Sequence, residues 1–263
     1  MSYMTIMNAE PPLWRMIRDS LEAALAAGEY PAGTPLPSEA KLAARYGCAI
    51  GTVRRAVDEL VAARALVRRQ GKGTFVPDID AMARLRRDGA TARLRRDGPD
   101  RTAFYFFHIR PEDGARALPE TELLDFRAPV PCPAWIAPHL GLAPRAPMIF
   151  ARNLQRIEGR PVVLDDLWLP GALFPGLDRA GFAGREGTVY GLYQKRFGHS
   201  VIRTDERLRA VAAPPGMAAL LGLPEGAPVL RILRLAMAIG DRPVELRISH
   251  ADTREHEYFN TLA

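Results

Sequence analysis

Over residues 12–27, Leu13, Met16, Ile17, Leu21 and Leu25 recur at spacings of three and four, as on one stripe of a helix. Pro12 in its first turn and Gly28 just past its end are the residues favoured at those places. Pro31, Gly33, Pro35 and Pro37 then predict an irregular connection. Ser38 offers an N-cap oxygen and Glu39 a first-turn negative charge, which predicts a second helix to about Tyr46, broken by Gly47. A third helix over 50–63 places Val53, Ala56, Val57 and Leu60 on one face, with Arg54, Arg55, Asp58 and Glu59 on or beside the other. Two short helices around a glycine-containing turn have helix-turn-helix spacing. Strands at 66–69 and 74–76, either side of Gln70-Gly71-Lys72-Gly73, read as a hairpin with a basic tip.

Beyond residue 102 the period changes to two. Segments 148–156 and 161–169 flank the turn signal Glu158-Gly159, and 229–239 and 243–249 flank Gly240-Asp241. An aromatic-rich strand is expected over 102–109, with helices over 189–197 and 216–221. This pattern predicts an α+β domain with an antiparallel sheet built largely from hairpins. Between the two parts, Ala-Arg-Leu-Arg-Arg-Asp-Gly at 83–89 recurs at 92–98. Such a pair falls short of the three stacked units a solenoid needs, so a polar linker, helical in pieces, is expected. The division is therefore 10–77, a linker at 78–101, and 102–263.

The 263 residues are 48% hydrophobic and 25% charged, which suits two buried cores, and their net charge is +6. Most of the excess lies in the joining segment: 10 Lys/Arg face 9 Asp/Glu in 1–80, 7 face 3 in 81–101, and 19 face 18 in 102–263. That segment is placed to sit near phosphates if the preceding domain binds DNA; a solvated tether explains it equally well. Cys48 and Cys132 are too few for a disulfide framework or a thiolate metal cluster, and suit a reducing compartment as small hydrophobes. Without a charged, apolar leader or an apolar run near 18 residues, a cytoplasmic protein with no membrane partner is expected. The residues select no nucleophile with a paired base, no metal-ligand spacing and no phosphate-cradling loop, so neither enzymatic activity nor a metal or cofactor is expected. Gly71-Lys72-Gly73-Thr74 is similar to the end of a P-loop but lacks its earlier glycine, position 66 being Leu.

Pro37-Ser38-Glu39, Leu42-Ala43, Thr52-Val53-Arg54-Arg55-Ala56-Val57, Leu60 and Gly71-Lys72-Gly73-Thr74-Phe75-Val76 together resemble the GntR family of winged-helix regulators. The remainder resembles the UTRA effector domain of that family's HutC-type branch. Its pieces are Leu140-Gly141-Leu142, Glu158-Gly159-Arg160-Pro161, Thr188-Val189-Tyr190 with Phe197-Gly198, the stretch 221–230 (Leu-Gly-Leu-Pro-Glu-Gly-Ala-Pro-Val-Leu), and Arg242-Pro243-Val244-Glu245. The resemblance implies a winged helix-turn-helix followed by a chorismate-lyase-like antiparallel-sheet domain that holds a small-molecule effector and forms a homodimer. The expected function is a transcription regulator, as a repressor, on double-stranded operator DNA with an inverted repeat. A DNA-binding protein without an effector, and an enzyme retaining the lyase-like fold, are the alternatives.

The candidate DNA contacts are Ser38, Thr52, Arg54, Arg55, Arg68, Gln70, Gly71, Lys72, Gly73 and Thr74. An arginine fork pairs with guanine O6 and N7 or clamps a phosphate, and a glycine-rich tip with a lysine suits a phosphate or the minor groove. Pairing of Arg54 or Arg55 with Asp58 or Glu59 on a solvated face is the plain alternative. Ala49 and Ile50 stand where the family often carries Ser-Arg, and Ala40 where it often carries arginine. Readout is expected to lean on Arg54, Arg55 and the wing, or on Ile50 or Ala49 against a thymine methyl.

The candidate effector contacts are His108, Arg110, Asn153, Gln155, Asp165, Thr188, Tyr190 and Glu245. Asn153 and Gln155 fall where the resemblance places two alternating arginines in members that bind phosphorylated sugars, and amides cannot neutralise a phosphate. With Asp165 and Glu245 adding negative charge, a ligand bearing amine or hydroxyl groups is expected over a phosphate. Arg152 and Arg156 in the inner register, or Arg203, Arg231, Arg234 or Arg247 projecting inward, would supply compensating positive charge. Thr188 marks a helix start, where N–H groups favour an anion. Ala251, where the family commonly has tyrosine, implies a roomier pocket. His108 beside an aromatic strand is more often structural.

Overall fold

The computed structural model describes residues 11–80, 108–112 and 119–260. It divides into two compact units, Met1–Pro77 and Asp78–Ala263.

The first unit contains α1 (Leu13–Ala26), α2 (Glu39–Tyr46), α3 (Ile50–Ala62), β1 (Val67–Arg69) and β2 (Gly73–Phe75). Ser38 Oγ accepts a hydrogen bond from Lys41 N at 3.3 Å, and Gly47 ends α2 in the left-handed region at φ 60°. Ile17, Leu21, Leu42, Val53, Ala56, Val57 and Leu60 close a core between the three helices. Leu13 and Met16 remain 50% and 52% exposed, so the apolar stripe of α1 outruns the surface it covers. The proline-rich connection is ordered by the wing: Gly33 N donates to Val76 O at 3.0 Å, Leu36 N to Thr74 O at 2.8 Å, and Val76 N to Thr34 O at 3.0 Å. Its backbone groups are thereby satisfied without regular structure.

The second unit is built on a six-stranded antiparallel sheet. Its strands are β4 (Glu120–Pro131), β5 (Pro147–Ile157), β6 (Arg160–Pro170), β7 (Val201–Ala212), β8 (Pro228–Ala238) and β9 (Arg242–Ala251), in the order β4-β5-β6-β9-β8-β7. The β5-β6 hairpin turns at Glu158-Gly159 with φ 51° and 75°, and the β8-β9 hairpin at Gly240-Asp241 with φ 79° and 50°. Two successive positive φ values give the tight turn whose twist matches paired strands. β3 (Ile109–Pro111) pairs with β10 (His256–Tyr258), and together they cover Ile157, Val163 and Ile232.

Among the described residues the unit also has four α-helices: α4 (Ala137–Leu140), α5 (Arg179–Ala183), α6 (Val189–Phe197) and α7 (Pro215–Leu221). On one face of the sheet, here called inner, Tyr190 and Tyr193 of α6 and Phe182 of α5 pack with Ile149, Ala151, Leu167, Leu169 and Ala236. On the outer face α7 packs on Leu154 and Leu164, and α4 on Met148 and Leu246.

Strands β4 and β7 are absent from the sequence expectation, and both are sheet edges. The strand expected over 102–109 and the repeat at 83–98 lie outside the described residues, save His108 and Ile109 at the strand's end. The segment expected to be a linker from residue 78 begins inside the second unit: Ile79 is 2% exposed and packs in the core beneath α6.

Leu164 is fully enclosed between β6 and α7. Its truncation in Leu164→Ala removes apolar contact and leaves a cavity, so the second unit should lose about 2–5 kcal/mol of stability, read from urea denaturation.

Candidate functional site

On the first unit, α3 and the wing present the candidate DNA contacts. Arg54, Arg55, Arg68, Gln70, Gly71, Lys72 and Gly73 are exposed, and Thr52 and Thr74 are half-buried. Gly71 at φ 69° and Gly73 at φ 107° shape the wing tip, where Lys72 N donates to Arg69 O at 2.9 Å. Neither Arg54 nor Arg55 makes the pair with Asp58 or Glu59 that was the plain alternative to DNA contact. Arg54 bonds Glu39 at 2.8 Å, Arg68 bonds both Glu39 at 3.2 Å and Asp58 at 2.7 Å, and Arg55 lies over the Trp14 ring at 4.4 Å. Glu39 reaches Arg54 because α2 and α3 pack together, so this first-turn carboxylate also serves as the junction of helix and wing. Ala49 caps α3 without a side-chain bond, and Ile50 beside it is 45% exposed.

On the second unit, five of the candidate effector residues converge on the inner face. Asn153 of β5 stands opposite Asp165 of β6, which stands opposite Ser249 of β9. Gln155 Nε2 and Ser249 Oγ both donate to the Asp165 carboxylate, and Arg247 Nη1 lies 3.6 Å from it. Arg247 also donates to both oxygens of Glu245, at 2.9 and 3.0 Å. From α6, Tyr193 and Tyr190 donate to Glu245 at 2.6 and 3.1 Å. Arg234 pairs with Glu206, which also accepts from the Tyr258 hydroxyl. Burial first, and then the negative charge of Glu245, push both α6 phenols well above ordinary tyrosine, so they act as donors. Burial opposes the charge on Arg247, but Glu245, Tyr190 and Asp165 outweigh it and hold the guanidinium protonated.

The register question is answered by the outer face. Arg152 bonds Asp166 there in a fork of 2.6 and 2.8 Å, while Asn153 and Gln155 are buried inside. Of the other arginines, Arg234 and Arg247 are buried on the inner face, whereas Arg203 pairs on the surface with Asp205 and Asp241. Two carboxylates therefore do not stand there uncompensated, as the sequence reading supposed. His108 and Arg110 belong to the β3-β10 pair instead: Arg110 bonds Glu257 and lies over Phe259, and His108 stacks at a tilt on Tyr258.

Thr188 caps α6, its hydroxyl accepting from Gly191 N at 2.9 Å. The anion at that helix start is supplied by the chain itself. Asp80, 2% exposed, accepts from Thr188 N and Thr188 Oγ1 at 2.9 Å each and from Lys195 Nζ at 2.7 Å. Nearby, Ile79 N donates to Gln194 Oε1 at 3.1 Å. A Cβ added at Gly191 would stand 2.0 Å from the Asp80 carboxylate, and one at Gly187 2.7 Å.

Residues 13–76 match the model of the bacterial regulatory proteins of the gntR family, and residues 115–257 match the UTRA domain. The chain belongs to the GntR family, with a UTRA domain as its second unit. This GntR–UTRA protein is a DNA-binding transcription regulator and not an enzyme, and its UTRA unit is a small-molecule effector domain. It is 28% identical over 260 residues to the HTH-type transcriptional regulator Rv0792c of Mycobacterium tuberculosis, covering 98% of this chain and 88% of that one. It is 26% identical over 235 residues to the probable fructoselysine utilization operon transcriptional repressor of Shigella flexneri, covering 89% and 88%. The ligand-binding domain of a GntR-family regulator from Bordetella bronchiseptica superposes with a TM-score of 0.58 at 36% identity, covering 60% of this chain and 98% of that domain. Among the described residues of the regulator no helix is long and apolar enough to cross a membrane.

Sequence reasoning missed Tyr193, Ser249 and Asp80. Tyr193 lay within the helix expected over 189–197, three residues after Tyr190, and helical spacing alone puts the two on one face. Burial raises the Asp80 carboxyl, but the Lys195 ammonium and the Thr188 donors outweigh it and hold the group below the usual aspartate value. A depressed carboxylate contributes stability that is complete above its unfolded pKa of about 3.9 and lost as pH falls through the folded value. Asp80→Asn should therefore cost roughly 1.5–3 kcal/mol at neutral pH, as for a hydrogen-bonded charge. In urea titrations the gap from wild type should persist down to about pH 4 and close below it.

Proposed function

We propose that this regulator acts as a repressor in the cytoplasm, binding an inverted-repeat operator as a homodimer and changing its DNA affinity when a small molecule occupies the inner face of the UTRA sheet. The observation that carries the DNA reading is the exposed basic surface formed by α3 and the wing. Arg55 and Lys72 have no ion pair there among the described residues, while Arg54 and Arg68 share the surface carboxylate Glu39. An exposed pair of that kind is worth about 0–1 kcal/mol, so a phosphate or a guanine edge can take over either arginine cheaply. Ser38, Thr52, Gln70, Gly71, Gly73 and Thr74 complete the proposed contact surface. One recognition helix reads only a few base pairs, and a two-fold dimer reads two such half-sites.

For the effector, the proposed contacts are Asn153, Gln155, Asp165, Tyr190 and Glu245, together with Arg247. Asn153 Oδ1 and Gln155 Oε1 are buried without a donor, which favours a ligand bearing amine or hydroxyl groups at that end. Thr188 enters as the cap of α6 and not as a ligand contact, and His108 and Arg110 are left out because their contacts are within β3-β10. The relatives' names, which include fructoselysine and mannosyl-D-glycerate systems, are consistent with a polyhydroxylated or amine-bearing effector.

Sizing of the protein on its selected operator should give two chains per duplex, and one chain at saturation contradicts the dimer. On the same duplex, Arg54→Ala should cost roughly 1–3 kcal/mol and relax discrimination at one base pair. Lys72→Ala should weaken all sequences alike and lower the salt slope by about one. If neither variant alters binding while both stay folded, the α3 assignment is wrong.

A further inference from the structure

We propose that Arg185 is the anion end of a two-ended receptor, and that the effector is a zwitterion whose carboxylate meets Arg185 and whose amine or hydroxyl donors meet Asn153 and Gln155. This rests on the reading of the inner face as the effector site and adds to it a residue and a ligand class.

Every other charge in the buried cluster has a partner. Glu245 is held by Arg247, Tyr190 and Tyr193; Asp165 by Gln155, Ser249 and Arg247; Glu206 by Arg234 and Tyr258. Arg185, in the segment between α5 and α6, is the exception. Its Nη1 donates to Phe182 O at 2.6 Å and its guanidinium lies over the Phe182 ring at 4.8 Å. Its Nε has no partner, and no carboxylate stands within ion-pair distance of it among the described residues. Phe182 is packed in the same core as Tyr190 and Tyr193, which places this cation beside the Glu245 cluster. Burial weakens its hold on the proton, and although Tyr193 opposes this, the like charge of Arg247 adds to it. An anion at Arg185 relieves both the desolvation and the repulsion.

The opposite end asks for the opposite chemistry. Asn153 and Gln155 are 1% and 6% exposed, and each leaves a carbonyl oxygen without a donor. The amide nitrogen of Gln155 is committed to Asp165, which fixes its oxygen as the free group. An ammonium or hydroxyl satisfies these acceptors and Asp165 beyond them; a phosphate there finds acceptors facing acceptors. The start of α6, the ordinary place for an anion, is already filled by Asp80. With Nη1 held by Phe182 O, the Nε edge of the guanidinium is left to donate to a carboxylate, which carries a single charge.

Thermal shift and calorimetry on the full chain test this with three matched sets of compounds: free amino acids, including lysine and its ε-glycated adduct, their carboxamides and decarboxylated amines, and hexose 6-phosphates. At least one zwitterion should raise the melting temperature, and its carboxamide and amine should bind about tenfold to a hundredfold more weakly. Arg185→Gln should remove that difference while leaving binding of the amine unchanged, and Arg185→Lys should restore part of it. The proposal is overturned if no zwitterion in the sets shifts melting, if amine and zwitterion bind alike, or if a hexose phosphate binds through its phosphate. Asn153→Ala and Gln155→Ala separate the two failures. Binding that depends on them but ignores Arg185 removes only the zwitterion, whereas binding that ignores all three places the effector elsewhere.

Discussion

Glu245 has no surface open to water, and a carboxylate so placed is costly unless its neighbours replace the hydration it has lost. A guanidinium fork from the same strand and two phenols from α6 do so. The position of α6 on the sheet is thus fixed by directed bonds as well as by apolar packing, and the helix cannot slide without stranding a buried charge. Arg247 extends the constraint to Asp165, and through it to Gln155 and Ser249, so strands β5, β6 and β9 and helix α6 share one polar network. Removing a single member leaves others buried and unpaired, which costs more than any one bond contributes.

The DNA-facing unit solves a different problem with similar parts. Glu39 also holds two arginines, but all three side chains are partly solvated, so the pairs are weak and exchangeable. They keep Arg54 and Arg68 oriented side by side on α3 and the wing while leaving both open to a stronger anion. Burial decides the difference: the same chemistry is a rigid frame inside the UTRA unit and a loose holding arrangement on the surface.

Much of this fold was legible because local chemistry and global structure agree. The Glu158-Gly159 and Gly240-Asp241 turns locate two hairpins that form the centre of the sheet, and the 3.6-residue periodicity locates α1 and α3. Strands β4 and β7 were not legible, since they are edge strands with long exposed stretches and register shifts that blur the alternation. At the site, Asn153, Gln155, Asp165 and Glu245 were found by position in a familiar pattern. That Arg247 points inward and Arg152 outward follows from strand register across β5, β6 and β9, which no local window contains. Asp80 was invisible for the same reason: its partners lie over a hundred residues away, on a helix whose start advertises only an anion site.

The fit of Asp80 against α6 also constrains how this sequence can drift. The Asp80 carboxylate lies where a side chain at Gly191 would begin, and even an alanine methyl would overlap it. Position 191 is therefore barred from every side chain for as long as position 80 carries an acid. The two sites lie on opposite sides of the polar repeat, and the order of change is set: the acid at 80 can be lost alone, but a side chain at 191 can follow only after it. Across descendants of this chain, loss of the glycine should coincide with loss of the aspartate, leaving a correlated pair that records the contact in sequence alone.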